Sequence, residues 1–200
     1  LRHDIDAKPK NALDLAKIEN KLGIRSTFYF RSITSVFNEE IINQISNLGH
    51  EIGYHYEVLS ACNGSFNKAI KLFEKDLKKF RKLYPVKTVS MHGAPFSKWN
   101  NLDIWEKARL EDYDLIGEPY LSINYDDIFY YTDTGRSWNS SSYNLRDKVK
   151  SVLKQPSAKS TVDISRIINT TNGNFVINTH PQRWSSNFLE WSIEYFKQNS

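Results

Sequence analysis

The sequence predicts an α/β domain built on a parallel sheet. Short β-branched and aromatic runs alternate with segments of helical period from one end of the chain to the other. Turn residues, chiefly glycine and asparagine, separate them, and polar residues gather where the predicted strands end. Strands alternating with helices imply parallel strands joined by right-handed crossovers. About seven strands are expected, which leaves an open doubly wound sheet and an incomplete barrel as alternatives.

The elements read in order. Leu1 to Ile5 is the end of a strand. Residues 9–22 form a helix with Leu13, Ala16 and Leu22 on one side and Gly23 as its stop. Ile24 to Arg31 is β-branched and aromatic, hence a strand. Asn38 caps a helix running to Leu48, and Gly49 ends it. Glu51 to Tyr56 is the third strand. Ser65 caps a long helix over 66–83, where Ala69, Ile70, Phe73, Leu77 and Phe80 recur at helical spacing. Val86 to Met91 is the fourth strand. Residues 101–110 are expected to be helical and 113–117 to form a short strand. Ile128 to Thr132 is a strand, 162–169 a helix, Phe175 to Thr179 the last strand and 187–197 the last helix. Residues 135–160, rich in Ser, Asn and Lys, read as a long mobile excursion that partly covers the strand ends.

Composition narrows the function. Two hundred residues without a linker suit one domain spanning 1–200. The chain opens without Met inside what reads as a strand, so a preceding segment is expected. No stretch approaches the ~20 apolar residues of a membrane span. The single cysteine, Cys62, permits no intramolecular disulfide and fits a reducing cytoplasm. The net charge of +4 is modest and is carried by surfaces such as Lys68, Lys71, Lys75, Lys78, Lys79, Arg81 and Lys82. No arginine-rich stripe or fold motif supports nucleic-acid binding. Neither a G-x-G-x-x-G nor a G-x-x-x-x-G-K-[ST] follows a strand, and no G-x-S-x-G elbow is present.

The chemistry lies in position. Asp4 and Asp6 end the first strand, His55 and Glu57 the third, His92 the fourth, Asp133 the strand 128–132, and His180 the last. Sites in α/β folds form at the carboxyl ends of parallel strands. Asp4 and Asp6 share a face because strand side chains alternate. Singly, each has a plainer role: Asp4 or Asp6 can cap the next helix, and a buried histidine is usually a hydrogen-bonded core residue. His3 points to the opposite face and is expected to pack; His50 is at the wrong end of its strand. Together, two carboxylates and three histidines on one rim suit a divalent metal such as zinc, which takes about three Asp, Glu, His or Cys ligands and leaves room for water.

The stretches LRHDID, STFYFRS, LGHEIGYHYE, VKTVSMHGAP, FYYTDTGRSW and FVINTHPQRW occur in that order across nearly the whole chain. Their combination resembles the polysaccharide deacetylases, in particular a branch from bacterial surface-polysaccharide gene clusters. The resemblance implies a distorted, incomplete (β/α) barrel of about seven parallel strands and metal-dependent removal of N- or O-acetyl groups from a small-molecule or oligosaccharide sugar.

It also implies roles. Asp4 matches the catalytic base and Asp6 a metal ligand, with the reverse assignment open. His55 matches the first of two histidine ligands four apart, but Leu59 stands at the second position. Gly93 stands where the family has an arginine two residues before a proline, here Pro95. His92 is therefore expected to supply the missing ligand, with Glu57 as fallback, and Arg136 to take over from the lost arginine. Asp133 and Trp138 match a further motif, and His180 the catalytic acid. Trp138, Trp184 and Trp191 read first as core or lid residues, but Trp138 and Trp184 lie next to candidate site residues, and with Arg183 they are expected near the sugar. Zinc is the expected metal, with cobalt, nickel or manganese also suited to mixed O/N ligands.

Overall fold

The structure is a computed structural model that describes residues 1–138, 144, 146–184, 187–189 and 191–193. Its described strands are β1 (Arg2–Ile5), β2 (Thr27–Phe30), β3 (Glu51–Tyr56), β4 (Val89–Met91), β5 (Ile128–Thr132) and β6 (Asn174–Thr179). They form one six-stranded sheet in the order β4-β3-β2-β1-β6-β5, with every pairing parallel. That order runs round a barrel in chain sequence with a single interruption, between β4 and β5. The sheet is an incomplete α/β barrel, open at that seam.

The seam explains the missing strand. Residues 113–117 do not pair as a strand; only Gly117 bridges in parallel to Thr88. Leu110–Tyr113 is a 3-10 turn, and Asp114 is left-handed, which breaks the extended run. The helix expected over 101–110 is likewise a 3-10 helix, Asn101–Glu106.

The helices are α1 (Pro9–Lys21), α2 (Glu39–Asn47), α3 (Val58–Ala61), α4 (Phe66–Arg81), α5 (Pro119–Ser122) and α6 (Thr161–Thr170). Asn38 caps α2 by accepting the Ile41 amide. Ser65 precedes α4 without a side-chain cap. Leu22 lies on the solvent side of the α1 terminus, 68% exposed, because the helix ends before it. Part of the 187–197 helix lies outside the described residues; 188–189 and 191–193 are helical.

Alternation sorts the sheet's faces. Phe28, Phe30, Ile52, Tyr54 and Tyr56 are buried in the hydrophobic core, with Phe73 and Phe80 of α4. A second cluster joins Tyr131, Ile177 and Ala158 to Ile164 and Ile167 of α6. The concave face is polar: Arg2 and Asp4 lie beside Tyr29, Tyr120, Tyr130 and Asn178. Gly53 makes room there, since a Cβ would fall 2.3 Å from the Tyr29 ring. Among the described residues, no helix is long and apolar enough to cross a membrane.

Candidate active site

β1 delivers its two carboxylates into different surroundings. The Arg2 guanidinium grips Asp4 with Nε at 3.0 Å from Oδ1 and Nη2 at 2.6 Å from Oδ2. Asn178 donates to Asp4 Oδ2 at 3.0 Å. Burial pushes the Asp4 carboxyl up, but Arg2, His55 and His180 outweigh it and hold it well below the usual carboxylate range. The arginine facing Asp4 is thus Arg2, two residues upstream on the same face. Arg136 lies instead in the neighbouring cleft.

Asp6 sits among three imidazoles. Its Oδ1 is 3.4 Å from His55 Nε2 and 3.6 Å from His92 Nε2, while Oδ2 is 3.8 Å from His180 Nε2. Gln182 donates to Oδ2 at 3.1 Å, but buried Oδ1 has no hydrogen-bond partner. Neither aspartate caps α1, whose N-cap is Lys8. His55 Nδ1 lies 2.9 Å from the Ser90 carbonyl. A carbonyl only accepts, so Nδ1 carries the proton and a neutral His55 turns the Nε2 lone pair toward Asp6. In that tautomer two acceptors face each other across 3.4 Å.

His92 is backed by Glu57. Its Nδ1 stands 3.0 Å from Glu57 Oε2, out of line for a hydrogen bond. Arg31 holds Glu57 from the other side, with Nη2 at 2.6 and 2.7 Å from its two oxygens. Burial raises the Glu57 carboxyl, but His92 and Arg31 bring it down to about 2. Glu57 therefore stands behind the imidazole, and Leu59 is buried in the hydrophobic core.

Asp6, His55 and His92 together offer oxygen and nitrogen donors. Around a tetrahedral ion with bonds of ~2.1 Å, neighbouring donors lie about 3.4 Å apart, close to the two Asp6–histidine spacings. Among the described residues, no group of three or more His, Cys, Asp or Glu side chains is placed so that it could hold a metal ion. The spacings match in pairs, and Asp6 Oδ1 is common to both.

On the far side, Asp133 and His180 form a buried pair, with His180 Nδ1 2.6 Å from Asp133 Oδ1. The carboxylate also accepts from the His180 amide, from Trp184 Nε1 at 2.8 Å and from Arg183 Nη1 at 3.2 Å. Burial and Arg183 push the imidazole's pKa down; Asp133 and Asp6 more than offset them, so it ends above its ordinary value. Its Nε2 faces Asp6 Oδ2 at 3.8 Å. Beside this pair opens a cleft of about 500 Å³, lined among others by Arg136, Trp138, Arg183, Trp184 and Trp191. The Trp138 and Trp184 rings lie 6.2 Å apart.

His3 and His50 stay out of the site. His3 reaches Thr179 and Glu19, and His50 the Ala16 carbonyl. Sequence reasoning missed Arg2, Asn178, Gln182 and Asp147. For Arg2 and Asn178 the signal was present: each is two residues before a site residue and shares its face.

No family model and no curated protein matches the chain. Solved structures do. A CE4 family pseudoenzyme from Bacillus anthracis superposes with a TM-score of 0.55 at 13% identity, covering 100% of this chain and 60% of its own. A mutant of that pseudoenzyme with restored enzymatic activity gives 0.55 at 14%, covering 100% and 62%. The family 4 carbohydrate esterase from Streptomyces lividans, in complex with acetate, gives 0.52 at 14%, covering 94% of this chain and 80% of that one. The fold is that of the CE4 carbohydrate esterases. The chain spans about 60% of the length of the pseudoenzyme.

Proposed function

We propose that the protein is a metal-dependent deacetylase that removes the acetyl group from an N-acetylated sugar. The observation that carries this reading is the unsatisfied Asp6 Oδ1 facing His55 Nε2 at 3.4 Å and His92 Nε2 at 3.6 Å, beside a clamped carboxylate and a proton-holding histidine. Asp6, His55 and His92 would hold a divalent cation, zinc by preference, closing up on it from their present spacing. Such an ion lowers the pKa of a water and polarises a carbonyl.

The chain's own groups divide the remaining work. Asp4, fixed by Arg2 and Asn178, takes a proton from the attacking water. His180 gives its proton to the sugar nitrogen as the amide C–N bond breaks, because an amine leaves poorly without one. Acetate and the free amino sugar result. Asp133 holds the imidazole's orientation. Trp138, Trp184 and Arg183 line the cleft where the sugar ring would sit, and aromatic faces suit its apolar side. Assignment to bacterial surface polysaccharide, with the sugar handled in the cytoplasm, rests on the sequence resemblance and the single cysteine.

Metal content of protein purified without chelator, followed by acetate release from a panel of acetylated sugars and sugar nucleotides, tests the reading. Stoichiometric metal and acetate release are expected. A second reading, a non-catalytic sugar-binding relative, draws on Leu59 in place of a second histidine and on the pseudoenzyme among the structural neighbours. Sugar binding with neither metal nor turnover would establish it instead.

A further inference from the structure

We propose that Arg146 and Asp147 are positioning residues, a two-residue strap across the open seam of the barrel that holds the Asp4 side of the site and the His92 side in one arrangement. The strap's effect on catalysis rests on the deacetylase reading; its existence rests on geometry alone.

The two residues reach opposite edges of the sheet. Arg146 Nη1 donates to the carbonyls of Gly93 at 2.9 Å, Trp99 at 2.5 Å and Ala94 at 3.3 Å, and Nη2 donates to that of Ser97. This loop leaves β4 directly after His92. Asp147 turns the other way. Its Oδ1 accepts from Tyr120 at 2.7 Å and from Tyr130, and its Oδ2 from Thr132 at 2.5 Å, Thr134 at 2.6 Å and Asn178 at 3.3 Å. These partners belong to β5, β6, α5 and the turn after β5. β4 and β5 are the two terminal strands of the sheet, so adjacent residues bridge the interruption between them. Asn144 fixes the strap's backbone by accepting the Asp147 amide at 2.8 Å.

Asp147 is also tied to Asp4 by two routes. Asn178 Nδ2 is shared between the two carboxylates. Arg2 Nη2 donates both to Asp4 and, at 2.9 Å, to Tyr120 Oη, which donates onward to Asp147. Arg2 lies over the Tyr120 ring, 4.9 Å from its centroid. Lifting the strap would leave the hydroxyls of Tyr120, Tyr130 and Thr132 without their acceptor inside the barrel and free the Arg2–Asp4 pair to move. Buried donors deprived of a partner are costly, so the strap and the orientation of Asp4 are energetically coupled.

Hydrogen exchange separates a strap from two unrelated contacts. Amides would be followed in the wild type, Arg146→Met, Asp147→Asn and the double variant. A strap predicts that each single change speeds exchange on both edges by roughly tenfold. Asp147→Asn must loosen 93–99, which Asp147 does not touch, and Arg146→Met must loosen the end of β5. The double variant should add little, since coupled sites are non-additive. Loosening confined to each residue's own side, with additive effects, overturns the proposal. Thr134→Val, which removes one donor to Asp147, serves the same comparison if Asp147→Asn does not fold. On any acetylated sugar the wild type turns over, Asp147→Asn should lower kcat about tenfold and leave KM within twofold. A raised KM with unchanged kcat would instead place Asp147 on the substrate and defeat the positioning role. If no acetylated sugar is turned over, the deacetylase reading falls, and the exchange result alone decides the strap.

Discussion

Asp6 is the residue on which the metal reading turns. Its Oδ1 is buried, accepts nothing and faces two imidazole Nε2 atoms. Asp6→Asn should reduce bound metal to below stoichiometric levels, by a factor of 10 or more, as read by elemental analysis. Asp4→Asn should keep the metal and lose most turnover, since general base catalysis contributes ~10²–10⁴-fold; metal content and rate measured on the same sample distinguish the two aspartates. His180 offers a pH test. Asp133 helps raise its pKa, and the proposed acid role needs the protonated imidazole. Asp133→Asn should therefore move the high-pH limb of the rate profile to lower pH, because the acid is lost earlier as pH rises. An unmoved limb would take His180 out of the acid role.

At the scale of elements, α5 deserves its own test because it carries a buried acid. Glu118 accepts the amides of Met91 at 3.0 Å and Tyr120 at 2.7 Å, pinning α5 to the edge strand β4. Burial nevertheless pushes its carboxyl up to about 7 against the pull of those amides and Arg2. The sign follows from proton counting. Between its ordinary value of 4.5 and about 7 the folded state binds more protons at this group than the unfolded state does, so its contribution falls as pH rises through that window and levels off above it. Glu118→Gln should flatten the pH dependence of the unfolding midpoint in that window. On the convex side, Glu19 of α1 accepts from His3 Nε2 at 2.9 Å. Glu19→Ala should lower stability by about 1–3 kcal/mol by leaving the buried Nε2 of His3 unpaired, measurable by denaturant unfolding.

Across the whole molecule, what could be read from the sequence follows from the range of the interactions involved. The β1 to β3 strands and the helices between them announce themselves through local periodicity and caps such as Asn38. The rim positions of Asp4, Asp6, His55, His92, Asp133 and His180 were readable because strand ends converge in a parallel barrel. The seam was not. Residues 113–117 have the composition of a strand, but their pairing is decided by the turn at Asp114 and by neighbours distant in sequence. Asp147 sits in a polar stretch where nothing local separates it from Asp126 or Asp127. Its partners, Tyr120, Tyr130, Thr132 and Asn178, are gathered only by the closed fold.

The strand order carries a consequence for synthesis. β1 lies between β2 and β6, so one of its neighbours is made soon after it and the other only when residues 174–179 leave the ribosome. Until then Arg2 and Asp4 lie along an uncovered edge, without Asn178. Pairing across such a span in sequence is slow because loop closure precedes the reward, and an uncovered edge invites pairing with other chains. A nascent chain arrested before β6 would expose the same strand that carries Arg2 and Asp4 in the finished fold, and it would be a natural client for a chaperone.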